Sequence, residues 1–336
     1  MDNQKVIKFI ENRKILFAIP IAIVVITVIV NIILGLEVAI EFKGGTMLTY
    51  SYTGEIDTNA VQATVEAENH GAVKVTTGSA LNSSLETVQI SFASSEGLTA
   101  EIQTDLTNKL QKEFKENSLV LVDSQDVNPT SGFEFFLKCM VAVLFSFVLL
   151  VIYIAFRFKK IGGLSAGVFA LVALMHDIFI VYAVFVYLRF PIDANFMAVV
   201  LTTLGNSINN TIVVYDRVRE NRTLYGTTMP LRDLVNLSIT QSVKRSINTT
   251  LTTGIAVLSI CVVCAICGVT SIMSFAIPMV VGLVFGTYSS LCISGPLWVL
   301  WQEKFGKSYT DKDDRKKSNN GGKKASTVRD TKKLMV

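Results

Sequence analysis

The sequence predicts an α-helical polytopic membrane protein with six transmembrane helices and a small α+β (βαββαβ, ferredoxin-like) extracytoplasmic domain between spans 1 and 2. Three observations predict it. Half of the 336 residues are apolar and only 17% are charged, with a mean hydropathy of +0.47, a balance that a water-soluble domain could not easily hide. The apolar residues gather in six blocks, each long enough to cross the hydrocarbon core. Between the first two blocks lies one long polar stretch in which strand-like alternation and helical stripes follow one another. This composition excludes a disordered chain, a collagen-like repeat and a disulfide-rich miniprotein. A net charge of +4 does not by itself argue for nucleic acid, and no nucleic-acid partner is expected.

Residues 1–14 form a basic leader with Lys5, Lys8, Arg13 and Lys14, and the first span runs over 15–36. No small-residue cleavage site follows it, so an uncleaved span is expected and not a removed signal peptide. The polar segment 37–133 comes next. Within it Thr46 to Tyr52 alternates as a strand, and Asp57 to Glu68 reads as a helix with a stripe of Ala60, Val61, Thr64 and Val65. Val73 to Thr77 and Thr87 to Phe92 read as two further strands. Leu98 to Phe114 is helical, with Leu98, Ile102, Leu106 and Leu110 on one face. Leu119 to Val127 closes the order as a strand, giving a split βαβ arrangement. The Gly44-Gly45 pair, at the passage from span to strand, permits tight backbone geometry. Spans 2 to 6 follow within 134–300, at about 134–156, 164–188, 195–215, 247–268 and 272–300, with a polar segment near 216–246.

Charge sets the expected orientation, because short cytoplasmic loops carry the Lys and Arg excess. The leader, the turn Arg157-Phe158-Lys159-Lys160, the segment from Arg217 to Arg245 and the tail are basic. Gly35 to Glu134 instead holds fifteen acidic and five basic residues. Both termini are therefore expected in the cytoplasm and the α+β domain outside it. Eleven of the 31 basic residues lie between Lys304 and Lys333, and the tail 301–336 is expected to be disordered and drawn to the anionic leaflet.

Several polar groups fall where lipid is expected. His176 and Asp177 interrupt the apolar third span, which is costly unless they face protein or water. Ion conduction and a packing hydrogen bond both account for them. The fourth span carries Thr202, Thr203, Asn206, Ser207, Asn209, Asn210 and Thr211, and Gly205 among them is expected to let another helix approach closely. It ends in Asp216-Arg217, which a solvated cap also explains. The last span places Gly282, Gly286, Ser290 and Ser294 at four-residue steps, a flat ridge for helix packing.

The five cysteines all lie in apolar blocks, so no disulfide framework protects the outside domain. Cys261, Cys264 and Cys267 have a spacing that suggests a metal, but cysteines within an apolar run are more simply small buried hydrophobes. With His70 and His176 as the only histidines, no metal site is expected. Gly162-Gly163 and Gly321-Gly322 lack the Gly-Lys-Ser/Thr ending of a phosphate-binding loop. Neither a nucleophile–base pair nor a cofactor motif is apparent, so a non-catalytic chain without cofactors is expected.

Ile40-Glu41-Phe42-Lys43-Gly44-Gly45-Thr46, the pair His176-Asp177, the run from Gly205 through Asn210-Thr211 to Asp216-Arg217-Val218-Arg219-Glu220-Asn221, and Gly286-Thr287-Tyr288-Ser289-Ser290 carry a resemblance. Over about 10 to 300 the chain resembles the SecF family of bacterial protein-export subunits, within the resistance-nodulation-division superfamily. The long Asn-rich run leading into Asp-Arg-Val-Arg-Glu-Asn is its most specific motif. The resemblance implies a SecD partner that supplies a matching six-span half, the pair assisting the SecYEG channel after the ATPase SecA has pushed a preprotein through. The resemblance also implies a YidC-type insertase as a further partner. It also implies use of the proton motive force, with Arg245 in the position of the family's membrane-proximal arginine.

One residue departs from the family pattern, which commonly has Asp directly before the Thr or Ser in the fourth span where this chain has Asn210. An amide cannot exchange a proton near neutral pH. Coupling then rests on a SecD carboxylate with Arg245 and Asp177, or on another ion, or is weakened. The ion-relay candidates are Asp177, Asn210, Arg245, His176, Asp216 and Arg217. The motif and packing candidates are Gly44, Gly45, Gly205, Asn206, Asn209, Gly282, Gly286 and Ser290. A lipid or small-molecule exporter subunit of the same superfamily and a non-motor stabiliser of the translocon are the competing readings.

Overall fold

The structure is a computed structural model and describes residues 6–67, 73–79, 86–92, 98–225, 228–266 and 272–305. His70, Cys267 and the tail beyond Phe305 lie outside the described residues.

Six helices are long and apolar enough to cross a membrane: Arg13–Leu34, Ser131–Arg157, Gly163–Leu188, Ala194–Tyr225, Leu231–Ile266 and Met273–Phe305. The first is α1 (Arg13–Leu34), after which a one-turn helix, α2 (Ile40–Lys43), leads into the small domain. The domain comprises β1 (Gly45–Tyr52), α3 (Thr58–Glu66), β2 (Val73–Ser79), β3 (Glu86–Phe92), α4 (Ala100–Glu113) and β4 (Val120–Val127). The bundle continues with α5 (Pro129–Arg157), α6 (Gly163–Leu188), α7 (Ala194–Tyr225) and α8 (Leu231–Ile266). The last span is α9 (Met273–Ser289), a π-helical turn over Ser290–Ser294, and α10 (Gly295–Phe305). The chain is a multi-pass membrane protein.

The domain is a four-stranded antiparallel sheet of order β2-β3-β1-β4, with α3 and α4 packed on one face. Strand period two explains the core: Leu48, Tyr50 and Tyr52 of β1 and Val88, Ile90 and Phe92 of β3 point to the helices and are buried. Val61 and Val65 of α3 and Leu106 and Leu110 of α4 meet them. Asp57 caps α3 by accepting from the Asn59 N–H at 2.9 Å. The register between β1 and β4 shifts after Thr49, where Tyr50 faces Leu121 and Thr49 faces Asp123, a bulge in which Val122 is the extra residue.

The Gly44-Gly45 pair takes φ values of 82° and 137°, and a Cβ on Gly45 would lie 2.1 Å from the Phe92 carbonyl oxygen. Only glycine fits there. Returning from the sheet, the chain crosses its own entry: a Cβ on Gly132 of α5 would lie 3.0 Å from Glu41 O. Phe42 stacks on Phe135 at 5.4 Å and meets Phe136 edge-on at 5.7 Å.

Two expectations are refined by the backbone. The polar segment near 216–246 is for the most part no loop, since α7 and α8 both run on past their apolar stretches to Tyr225 and from Leu231. Buried Asn221 explains it, donating to Ser238 Oγ at 2.8 Å and Gln241 Oε1 at 2.9 Å across the helical hairpin. The regular four-residue ridge of the last span holds through Gly282, Gly286 and Ser290, after which the π turn replaces the α repeat. All five residues of that turn are buried.

Candidate functional site

The polar groups of the spans gather where α6, α7 and α9 meet. Asp177 is completely buried on α6. Its Oδ2 accepts from Ser207 Oγ of α7 at 2.5 Å and from Ser289 Oγ of α9 at 2.8 Å, and its Oδ1 lies 3.0 Å from His176 Nδ1. The helices come this close because α9 has no side chains in the way. A Cβ on Gly286 would stand 3.2 Å from Ser207 Cβ and 3.7 Å from Asp177 Oδ2, and one on Gly282 2.6 Å from Thr203 Oγ1.

One turn along α7, Thr211 Oγ1 donates to Ser290 Oγ at 2.9 Å, and Ser290 Oγ donates to the Ser207 carbonyl at 3.0 Å. Asn210 Nδ2 donates to Thr287 Oγ1 at 3.1 Å, and the Thr287 hydroxyl in turn meets that of Thr250 on α8. The result is a layer of carboxyl, hydroxyl and amide groups inside an otherwise apolar bundle. Charge in such surroundings is tolerated only through these partners. A carboxyl so placed can hold or release a proton, and its hydroxyl neighbours can offer either a hydrogen or a lone pair. His176 Nε2 and Asn206 Nδ2 are buried without a hydrogen-bond partner.

The structure thus brings together Asp177, His176, Asn210, Gly282, Gly286 and Ser290 from the expected residues. It does not bring Arg245 to them. Arg245 is exposed and lines a separate cleft of about 400 Å³ with Asn209, Asp216, Arg217, Glu220 and Gln241. There Asp216 pairs with Arg157 at 3.1 Å and with Arg219 at 3.0 Å. Arg217 pairs with Glu220 at 2.5 Å and donates to Gln241 Oε1 at 2.7 Å. Gly44 and Gly45 lie apart from both, at the base of the domain.

The close approach expected at Gly205 is not found within this chain. A Cβ there would meet no heavy atom within 4 Å, because α7 turns the opposite face, with Thr203, Ser207 and Asn210, toward α9. Cys139, Cys261, Cys264 and Cys292 are free thiols. Among the described residues no group of three or more His, Cys, Asp or Glu side chains could hold a metal ion. The sequence reading missed that Ser207 and Ser289 are the partners of Asp177. No spacing in the sequence marks them, since Ser289 falls off the four-residue step of Gly282, Gly286 and Ser290, and Ser207 lies on the face of α7 opposite Gly205.

Comparisons with known proteins bear on this arrangement. The family described as protein export membrane protein SecD/SecF, C-terminal, matches residues 106–304. The protein translocase subunit SecF of Petrotoga mobilis is 33% identical over 297 residues, covering 87% of this chain and 94% of the relative. That of Alicyclobacillus acidocaldarius is 32% identical over 301 residues, covering 88% and 93%. A crystal structure of SecDF from Thermus thermophilus, described as a translocon-associated membrane protein, superposes with a TM-score of 0.75 at 26% identity, covering 89% of this chain and 39% of that one. The present chain therefore corresponds to well under half of that solved SecDF chain. The family match runs through α6, α7 and α9, and the chain itself belongs to the SecD/SecF family of protein-export membrane proteins.

Proposed function

We propose that this chain is an accessory subunit of the Sec translocon which, with SecD, uses an ion gradient to promote preprotein export and release on the outer side of the cytoplasmic membrane. Its similarity to SecF subunits over nearly its whole length supports the translocon role. The observation that carries the ion-coupled part is Asp177, a carboxyl with no exposed surface, held by side chains of three helices. A carboxyl in the bundle that changes its proton or cation changes the hydrogen bonds that join α6 to α7 and α9, and so their packing.

Asn210 cannot play that part, since its amide does not titrate and it is engaged with Thr287. In this reading the relay runs through Asp177, and Arg245 with Asp216 forms a polar approach from the cytoplasm. The basic leader and turns, against an acidic domain segment, support cytoplasmic termini and an outside domain. SecD and the SecYEG channel are the partners of this reading, and SecA acts on the same preproteins from the other side.

The test is export of a reporter preprotein into vesicles containing this chain, SecD and the channel, with proton and sodium gradients imposed separately. Stimulation by one of them identifies the ion. Assembly with unchanged export under either gradient would instead support a stabiliser without motor function. Copurification with a lipid or small-molecule transport system, and not with SecD, would support the exporter reading.

A further inference from the structure

The polypeptide that leaves α1 for the domain is not a free linker. From Gly35 to Glu41 it lies along the turn between α6 and α7. Val38 forms a parallel bridge with Ile192. The Ile192 N–H donates to Glu37 O at 2.8 Å and the Ala39 N–H to Ile192 O at 3.0 Å. Arg189, in the left-handed region at φ 57°, donates from Nη1 to Leu34 O at 2.7 Å and Gly35 O at 3.2 Å.

Two carboxylates complete the attachment. Glu37 pairs through Oε1 with Arg189 at 2.5 Å and through Oε2 with Lys74 of β2, so it touches the helix hairpin and the domain at once. Glu41 Oε2 accepts from the Ala194 N–H at 2.9 Å, while Asp193 Oδ1 accepts from the Phe196 N–H at 3.0 Å. The N-terminus of α7 thus has two of its orphan donors met, one of them by a residue from the base of the domain. Phe42 and Ile192, 5% and 6% exposed, belong to the same apolar core as the spans.

Ion pairs this exposed add little stability, and a passive tether needs none of them. Their geometry is what matters. α7 carries Ser207, the partner of Asp177, thirteen residues beyond Ala194 and so about 20 Å along a continuous helix. The helix is continuous between the two, so an axial shift of α7 at Ser207 has a direct route to Ala194.

We propose that Glu37 and Glu41 are coupling residues, which clasp the base of the domain to the α6–α7 turn so that displacement of α7 reorients the domain. The proposal rests on the ion-coupled reading above for the source of that displacement. The clasp itself does not.

The experiment uses the full chain with its five cysteines replaced by alanine and spin labels at Asn108 of α4 and Leu188 at the end of α6. Their distance distribution and gradient-stimulated export are compared between the parent and the Glu37→Ala/Glu41→Ala variant, each assembled with SecD and the channel. The expected result is a single narrow distance in the parent that broadens in the variant. Stimulation by the gradient is lost, while assembly and export without a gradient are unchanged. An unchanged narrow distance, or full gradient stimulation in the variant, would overturn the proposal. Loss of assembly or of both components of export would mark the residues as structural only and overturn it as well. If the parent shows no response to either gradient, the ion-coupled reading fails, and the distance distributions alone decide whether the carboxylates hold the domain.

Discussion

Asp177 has a hydroxyl on two sides and an imidazole on a third, from residues as far away as 112 positions in the chain. The carboxyl itself was legible in the sequence, because a charge inside an apolar run demands an explanation. Its partners were not, since serines on separate helices carry no mark of which way they face. Glycine shows the same limit. Gly205 and Gly282 look alike in sequence, yet a Cβ meets nothing at the first and Thr203 Oγ1 at 2.6 Å at the second. Gly282→Ala is expected to cost about 1–3 kcal/mol through overpacking, and Gly205→Ala to leave thermal stability of the isolated chain unchanged or slightly raised. Equal melting of the two variants would contradict the packing described. Burial pushes the pKa of the Asp193 carboxyl, just before α7, above its ordinary value, although the hydrogen bonds it accepts from Phe196 and Asn195 oppose the shift. A carboxyl whose pKa is raised on folding contributes stability that is complete below its unfolded value and is lost as pH rises through its folded value. Asp193→Asn keeps an acceptor for the Phe196 N–H. It should therefore gain in melting temperature relative to the parent between acid and neutral pH, and a relative loss at pH 7 would contradict this.

The helices and strands were legible to the extent that they repeat. Six apolar blocks became six spanning helices, and the alternating and four-residue patterns between the first two became β1 to β4 with α3 and α4. What did not repeat stayed hidden. The four residues of α2 are too few to show a helical period, and the single bridge from Val38 to Ile192 depends on backbone groups that every sequence has. The π turn over Ser290–Ser294 likewise has no repeating mark in the sequence. The N-terminal residues illustrate such a hidden contact. Ile10 is buried and its N–H donates to Asn236 Oδ1 of α8 at 3.1 Å, while Asn236 Nδ2 donates to Glu11 at 3.0 Å. Asn236→Ala leaves that N–H unpaired and should cost about 1–3 kcal/mol, seen as a lower melting temperature and faster proteolysis before Arg13. Unchanged values would show that the N-terminus is not anchored there. In the domain, Leu110→Ala removes a fully buried side chain and should cost about 2–5 kcal/mol in an unfolding transition of the sheet.

For the molecule as a whole, a small domain stands on a bundle whose interior carries a polar layer at Asp177, and the two are joined at the α6–α7 turn. Membership of the SecD/SecF family places such a chain beside protein export. Asn210 shifts attention within the layer to Asp177, because an amide there leaves Asp177 as the carboxyl that the buried hydroxyls surround. The most direct measurement is gradient-stimulated export of a reporter preprotein in vesicles with SecD and the channel, comparing the parent with Asp177→Asn, which preserves the size of the side chain but cannot titrate. Loss of the stimulated component, with assembly and unstimulated export retained, is the predicted result. Full stimulation in the variant would contradict the account and place the coupling carboxyl elsewhere, at Asp216 of this chain or in SecD.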